Sequence, residues 1–206
     1  HADDETRRGA IRRALDRGVN WIDTAPMYGE GKSEEALGWL LAEVEETPYL
    51  STKVFLATDR LSDIPGQIEE SLHASLRRLN RESVDLLQLH NRIEPETGSR
   101  AVGPGDVLRD RGVADGLDAM REQGLTRFIG ITALGDAASC RRVIESGRFD
   151  SAQVYYNLIN PTAGQPVAGA QGRIRREAER SERHMSRRVA IGGIWHETNT
   201  FAAGRT

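Results

Sequence analysis

Cysteine is nearly absent: Cys140 is the single thiol in 206 residues. One thiol closes no internal disulfide, which excludes a cystine-stapled fold and points to a reducing cytoplasm. Long apolar runs are missing as well. None approaches the roughly 18 residues of a membrane span, so no membrane partner is expected. The opening stretch, HADDETRRG, is polar and charged rather than signal-like. It begins with His rather than Met, so a fragment or a processed product is expected. An excess of one charge is also lacking. Charged residues make up 29% of the chain, yet the formal net charge is only -3. That balance excludes general affinity for nucleic acid.

What remains is an alternation of short apolar runs and amphipathic stretches, long enough for one α/β domain with a core. Helices are predicted over 4–17, 64–79, 113–123 and 137–146. A further helix carries Ala36, Leu37, Leu40, Leu41 and Val44, with Ser33 as its cap. Strands are predicted over 19–23, 49–55, 84–89, 128–132 and 152–156, with a Gly/Pro-rich loop over 94–105. About five parallel strands alternating with helices suit part of a barrel or a doubly wound sheet, and the pattern does not choose between them.

Four polar residues fall where these strands end: Asp23, Tyr28, Lys53 and His90. Parallel α/β sheets collect catalytic side chains at that end. The combination suits reduction of a carbonyl. A free tyrosine is a sluggish acid at neutral pH, and a nearby ammonium stabilises its phenolate. Lys53 supplies that charge, Asp23 holds Lys53, and His90 orients the carbonyl or shares in proton transfer. Hydride must come from a cofactor, since no side chain donates one. Singly, each residue has a plainer role: a loop tyrosine, a surface lysine, a strand-end histidine. Their joint placement is the signal, because Asp and Lys are rarely buried unpaired.

The segments GVNWIDTAPMYGEGKSEEALG, LSTKV, SLRRLNRESVDLLQLH, GLTRFIGIT and FDSAQVYYNLINP resemble the aldo-keto reductase family, in order, over residues 4 to 161. The resemblance implies an incomplete (β/α)8 TIM barrel. It implies NADPH (or NADH) as cofactor and a small carbonyl compound as substrate. By it, Tyr28 is the proton donor, with Asp23, Lys53 and His90 as its catalytic partners. Asp23, Thr132 and Gln153 are the cofactor-binding positions. Ala133 stands where the family commonly has asparagine. The alternative is a catalytically dead, truncated or fused remnant of such a reductase.

Other motifs weigh less. GEGKS contains GKS before a helix, but Pro26 takes the first glycine position of a phosphate loop and has no N–H to offer. Glu34 takes the third glycine position of a dinucleotide fingerprint. A loop leading into a helix is therefore expected there. Cys140 beside Arg141 and Arg142 is expected to be a buried filler, and His73 a packing or surface residue. Asn91 is a candidate pocket residue, and the loop after His90 a candidate pocket wall.

Residues 162–184 read as a charged linker. The tail, 185–206, starts at Met185 and resembles the N-terminus of the MlrC-like metallopeptidase family, so it is expected to lie off the barrel. Its His196 and Glu197 lack the second histidine of a zinc helix motif, and no metal site is assigned. The last barrel strands are not found after Pro161. A reductase truncated and joined to a neighbouring reading frame is the expectation.

Overall fold

The computed structural model describes residues 3–155 and the short segment 189–192. The main sheet is wholly parallel, and its strands lie in the order β1 (Trp21–Asp23), β2 (Tyr49–Val54), β3 (Val84–Leu89), β6 (Thr126–Thr132), β7 (Ser151–Tyr155) and β8 (Val189–Gly192). Strand order follows chain order without a reversal. A doubly wound sheet has such a reversal, at the crevice where its ligand binds. Its absence here resolves what the pattern left open: the first five of these strands form a curled half-barrel.

The helices are α1 (Asp4–Asp16), α2 (Lys32–Leu40), α3 (Ile64–Leu79), α4 (Pro104–Leu108), α5 (Val113–Glu122) and α6 (Ala137–Glu145). Period-two alternation gives the sheet two unlike faces. One face carries Leu50, Val54, Leu87, Leu89, Ile129, Ile131 and Ala152. These pack with Ile68, Leu72 and Leu76 of α3 and Leu117 and Met120 of α5 in one apolar core. The other face is largely polar. Lys53, Gln88, Gly130 and Ser151 lie in one register row, and Thr132 pairs with Gln153. Lys53, Gln88 and Thr132 therefore lie on the face turned away from the helices.

Several expectations shift by a residue or two. β1 starts at Trp21 rather than at residue 19, and β6 at Thr126 rather than 128. Ser33 is not the cap of α2. That position is Gly31, whose φ of 90° only glycine adopts readily, and the helix starts at Lys32. Nor does the expected loop over 94–105 stay irregular. β4 (Arg92–Ile93) and β5 (Ala101–Val102) pair in parallel across it, and α4 begins at Pro104.

The four residues of β8 come from the tail expected to lie off the barrel. They pair in parallel with β7, Gln153 opposite Ala190. The 162–184 linker, the rest of the tail, His196 and Glu197 lie outside the described residues. No helix among the described residues is long and apolar enough to cross a membrane.

Candidate active site

β1 and β2 are adjacent, with Asp23 in register with Ser51. Lys53 is two residues on along β2, so its side chain shares a face with that of Ser51. Lys53 is 1% exposed. Its ammonium donates to Asp23 Oδ2 at 2.6 Å and to the Thr24 carbonyl at 2.8 Å. Ser51 Oγ donates to the other Asp23 oxygen at 2.6 Å. A buried ammonium needs this much compensation. It also leaves the lysine one N–H beyond the two used.

Tyr28 stands above this pair on the loop after β1. It is 42% exposed, and its ring centroid lies 5.1 Å from Lys53 Nζ. The loop is held at both ends. Tyr28 N–H donates to the Ala25 carbonyl, and Ser33 N–H donates to the Tyr28 carbonyl. Gly29, Glu30 and Gly31 all have positive φ, which turns the chain sharply into α2.

His90 follows β3 and meets Tyr28 edge to face, with ring centroids 5.8 Å apart. Burial, aided by the Lys53 and Arg100 charges and opposed by Asp23, pushes its imidazole down to about 4. His90 is therefore neutral at ordinary pH, with one N–H and one acceptor nitrogen. Its Nδ1 is buried without a hydrogen-bond partner among the described residues. A buried polar atom of this kind calls for a partner from a ligand or water.

The three expected cofactor positions divide. Asp23 is committed to Lys53 and Ser51. Thr132 Oγ1 donates to the Leu89 carbonyl at 2.9 Å and keeps its lone pairs. Gln153 has a partly buried side chain; its backbone carbonyl accepts from Ala133 N–H at 2.8 Å. In register, a hydroxyl acceptor and an amide make a donor–acceptor pair matched to a carboxamide. These residues fit a nicotinamide group.

Asn91 belongs elsewhere. It is fully buried, accepts from Leu56 N–H and donates to the Leu56 carbonyl, so it clamps the loop after β2. His73 lies on the surface, 4.0 Å from Glu69. Cys140 is buried as expected, and its thiol is pushed up to about 11 by burial and by Asp136 and Glu94.

One contributor was missed in the sequence. Glu34 is fully buried on α2. It accepts from Thr52 Oγ1 at 2.5 Å and from Arg78 Nε at 2.8 Å. Thr52 is the neighbour of Lys53, so Glu34 ties α2 and α3 to the strand that carries the ammonium. The available signal was its place on the apolar stripe of α2, three residues before Leu37 and seven before Leu41.

The fold is thus a sequential parallel half-barrel with Tyr28, Lys53, Asp23 and His90 grouped at its C-terminal strand ends. The Aldo/keto reductase family model matches residues 1–181, and the chain belongs to that family. An uncharacterized oxidoreductase of Mycobacterium tuberculosis is 29% identical over 177 residues, 81% of this chain and 48% of that protein. L-galactose dehydrogenase of Arabidopsis thaliana is 32% identical over 127 residues, 60% of this chain and 37% of that protein. The chain thus spans about half the length, or less, of the curated relatives it matches. Among solved structures, the glycerol dehydrogenase of Gluconobacter oxydans superposes with TM-score 0.63 at 27% identity, over 84% of this chain and 52% of that one. An aldo-keto reductase of Klebsiella pneumoniae, solved in complex with NADPH, shares the fold with TM-score 0.65 at 21% identity, over 84% and 56%.

Proposed function

We propose that this site performs NAD(P)H-dependent reduction of an aldehyde or ketone, with Tyr28 as the proton donor. The observation that carries the reading is the placement of the Tyr28 ring close to both a buried ammonium and a neutral imidazole. When bound, the reduced nicotinamide supplies the hydride. Thr132 and Gln153 hold and orient it, and the cofactor is NADPH or NADH. The phenol passes its proton to the carbonyl oxygen as that oxygen gains charge. Lys53 stabilises the phenolate left behind, and Asp23 keeps the ammonium in place. His90 donates a hydrogen bond to the same oxygen, which its neutral state permits. The phenolate then regains its proton from solvent, and the reverse oxidation runs through the same atoms.

Substitution Tyr28→Phe tests the reading. Turnover of a simple aldehyde with NADPH should fall by roughly 10²-fold or more, with NADPH affinity kept. Turnover equal to the parent would remove Tyr28 from the mechanism. A second reading, a catalytically dead remnant, rests on the main sheet being open rather than closed among the described residues, ending at β1 and β8. It predicts no saturable NADPH binding in the parent chain. The tail from Met185 we likewise assign to the opening of an MlrC-like metallopeptidase; the family match ends at residue 181, just before it.

A further inference from the structure

Of the arginines near the strand ends, Arg100 is unusual in having no acidic partner among the described residues. Arg92, in the same loop, is paired with Glu94. Arg100 instead stacks its guanidinium 5.0 Å over the Phe55 ring. Phe55 directly follows β2 and lies two residues beyond Lys53. The loop bearing Phe55 is fixed by two buried amides. Asn91 binds both polar groups of the Leu56 backbone, and Gln67 binds the Ala57 N–H and the Arg60 carbonyl. Thr58 Oγ1 donates to the Ser99 carbonyl at 3.3 Å, which joins this loop to the one carrying Arg100. The stacking platform is therefore rigid, and the cation on it is exposed. The guanidinium is also near enough to the site to disfavour charge on His90.

Stacking holds a guanidinium by its face and leaves its edge N–H groups for an anion. A planar fork of donors matches a carboxylate or phosphate in two-point contact. We propose that Arg100 is a specificity residue that selects carbonyl substrates bearing an anionic group, held at Arg100 while the carbonyl lies against Tyr28. This rests on the reductase reading for the carbonyl end only.

The test measures binding to the full chain by calorimetry, with 4-carboxybenzaldehyde and benzaldehyde as a matched pair. The ratio of their affinities is read in the parent, in Arg100→Gln and in Arg100→Lys. The parent should prefer the carboxylate by about tenfold, the size expected of one charge-assisted contact. Arg100→Gln should abolish the preference, and Arg100→Lys should restore part of it. Added salt should weaken it in the parent. An equal ratio in the parent and Arg100→Gln, or no binding of either aldehyde, overturns the proposal. So does a loss of NADPH affinity in Arg100→Gln with the ratio kept, because the anion would then be the cofactor's. Carboxylate preference without turnover would leave Arg100 in its role and count against the reductase reading.

Discussion

Lys53 is the residue on which the site turns. Replacing it with methionine keeps the volume and removes the charge. Asp23 and the Thr24 carbonyl then lose their donor. Asp23 is itself 28% exposed, so water takes up part of the loss. Lys53→Met should cost about 1–3 kcal/mol in urea unfolding. It should also cost roughly 10²-fold in turnover, since the phenolate loses its stabilising charge. A variant with full turnover would refute that role. His90 gives a pH signature. Its folded value, about 4, lies below the ordinary 6.5. Between those values the unfolded chain binds a proton that the folded chain refuses, so stability falls as pH drops through that window. His90→Asn should flatten this part of the profile. The check is the difference in unfolding free energy between pH 7 and pH 4.5, in parent and variant.

Among the elements, α2 matters most to the site although it carries no reacting group. Glu34 joins it to β2 through Thr52 and to α3 through Arg78. Gly38 lets the same two helices meet closely, since a Cβ there would stand 2.3 Å from the Arg78 carbonyl. Removing the carboxylate strands Arg78, whose side chain is 26% exposed, and leaves Thr52 without its acceptor. Glu34→Ala should destabilise by about 3 kcal/mol, the lower end for a broken buried pair. Replacing both partners with apolar residues of similar volume should recover much of that loss. Thermal denaturation of the single and double variants measures both. A neutral single variant would mean that the pair is not what holds α2 to α3.

For the molecule as a whole, the main sheet ends at β1 on one side and β8 on the other. A closed barrel has no edges, whereas an open sheet offers unpaired N–H and C=O groups to another chain. Among the described residues, β1 is the last strand of the sheet on its side. Purified chain should therefore self-associate as its concentration rises, seen as a growing sedimentation coefficient. A single species at all concentrations would show those edges to be covered.

Much of this was legible in the sequence because it depends on neighbours along the chain. Helix 64–79 and strand 84–89 follow from apolar period and the stops that flank them, and the structure has both at those limits. The four strand-end residues were visible because each follows or closes a short apolar run. The distances that unite Asp23, Lys53, Tyr28 and His90 belong to the tertiary structure, since they come from strands separated by up to some sixty residues. The choice of barrel over doubly wound sheet was closed to apolar pattern, because it is a matter of strand order in space; the family resemblance implied it and the strand order bears it out. Glu34 and Arg78 were illegible as a pair because they are forty-four residues apart, on different helices. Asn91 and Arg100 look alike in sequence as polar loop residues. Only the surroundings, two backbone groups for one and an aromatic face for the other, decide that Asn91 supports the loop and that Arg100 keeps its edge free.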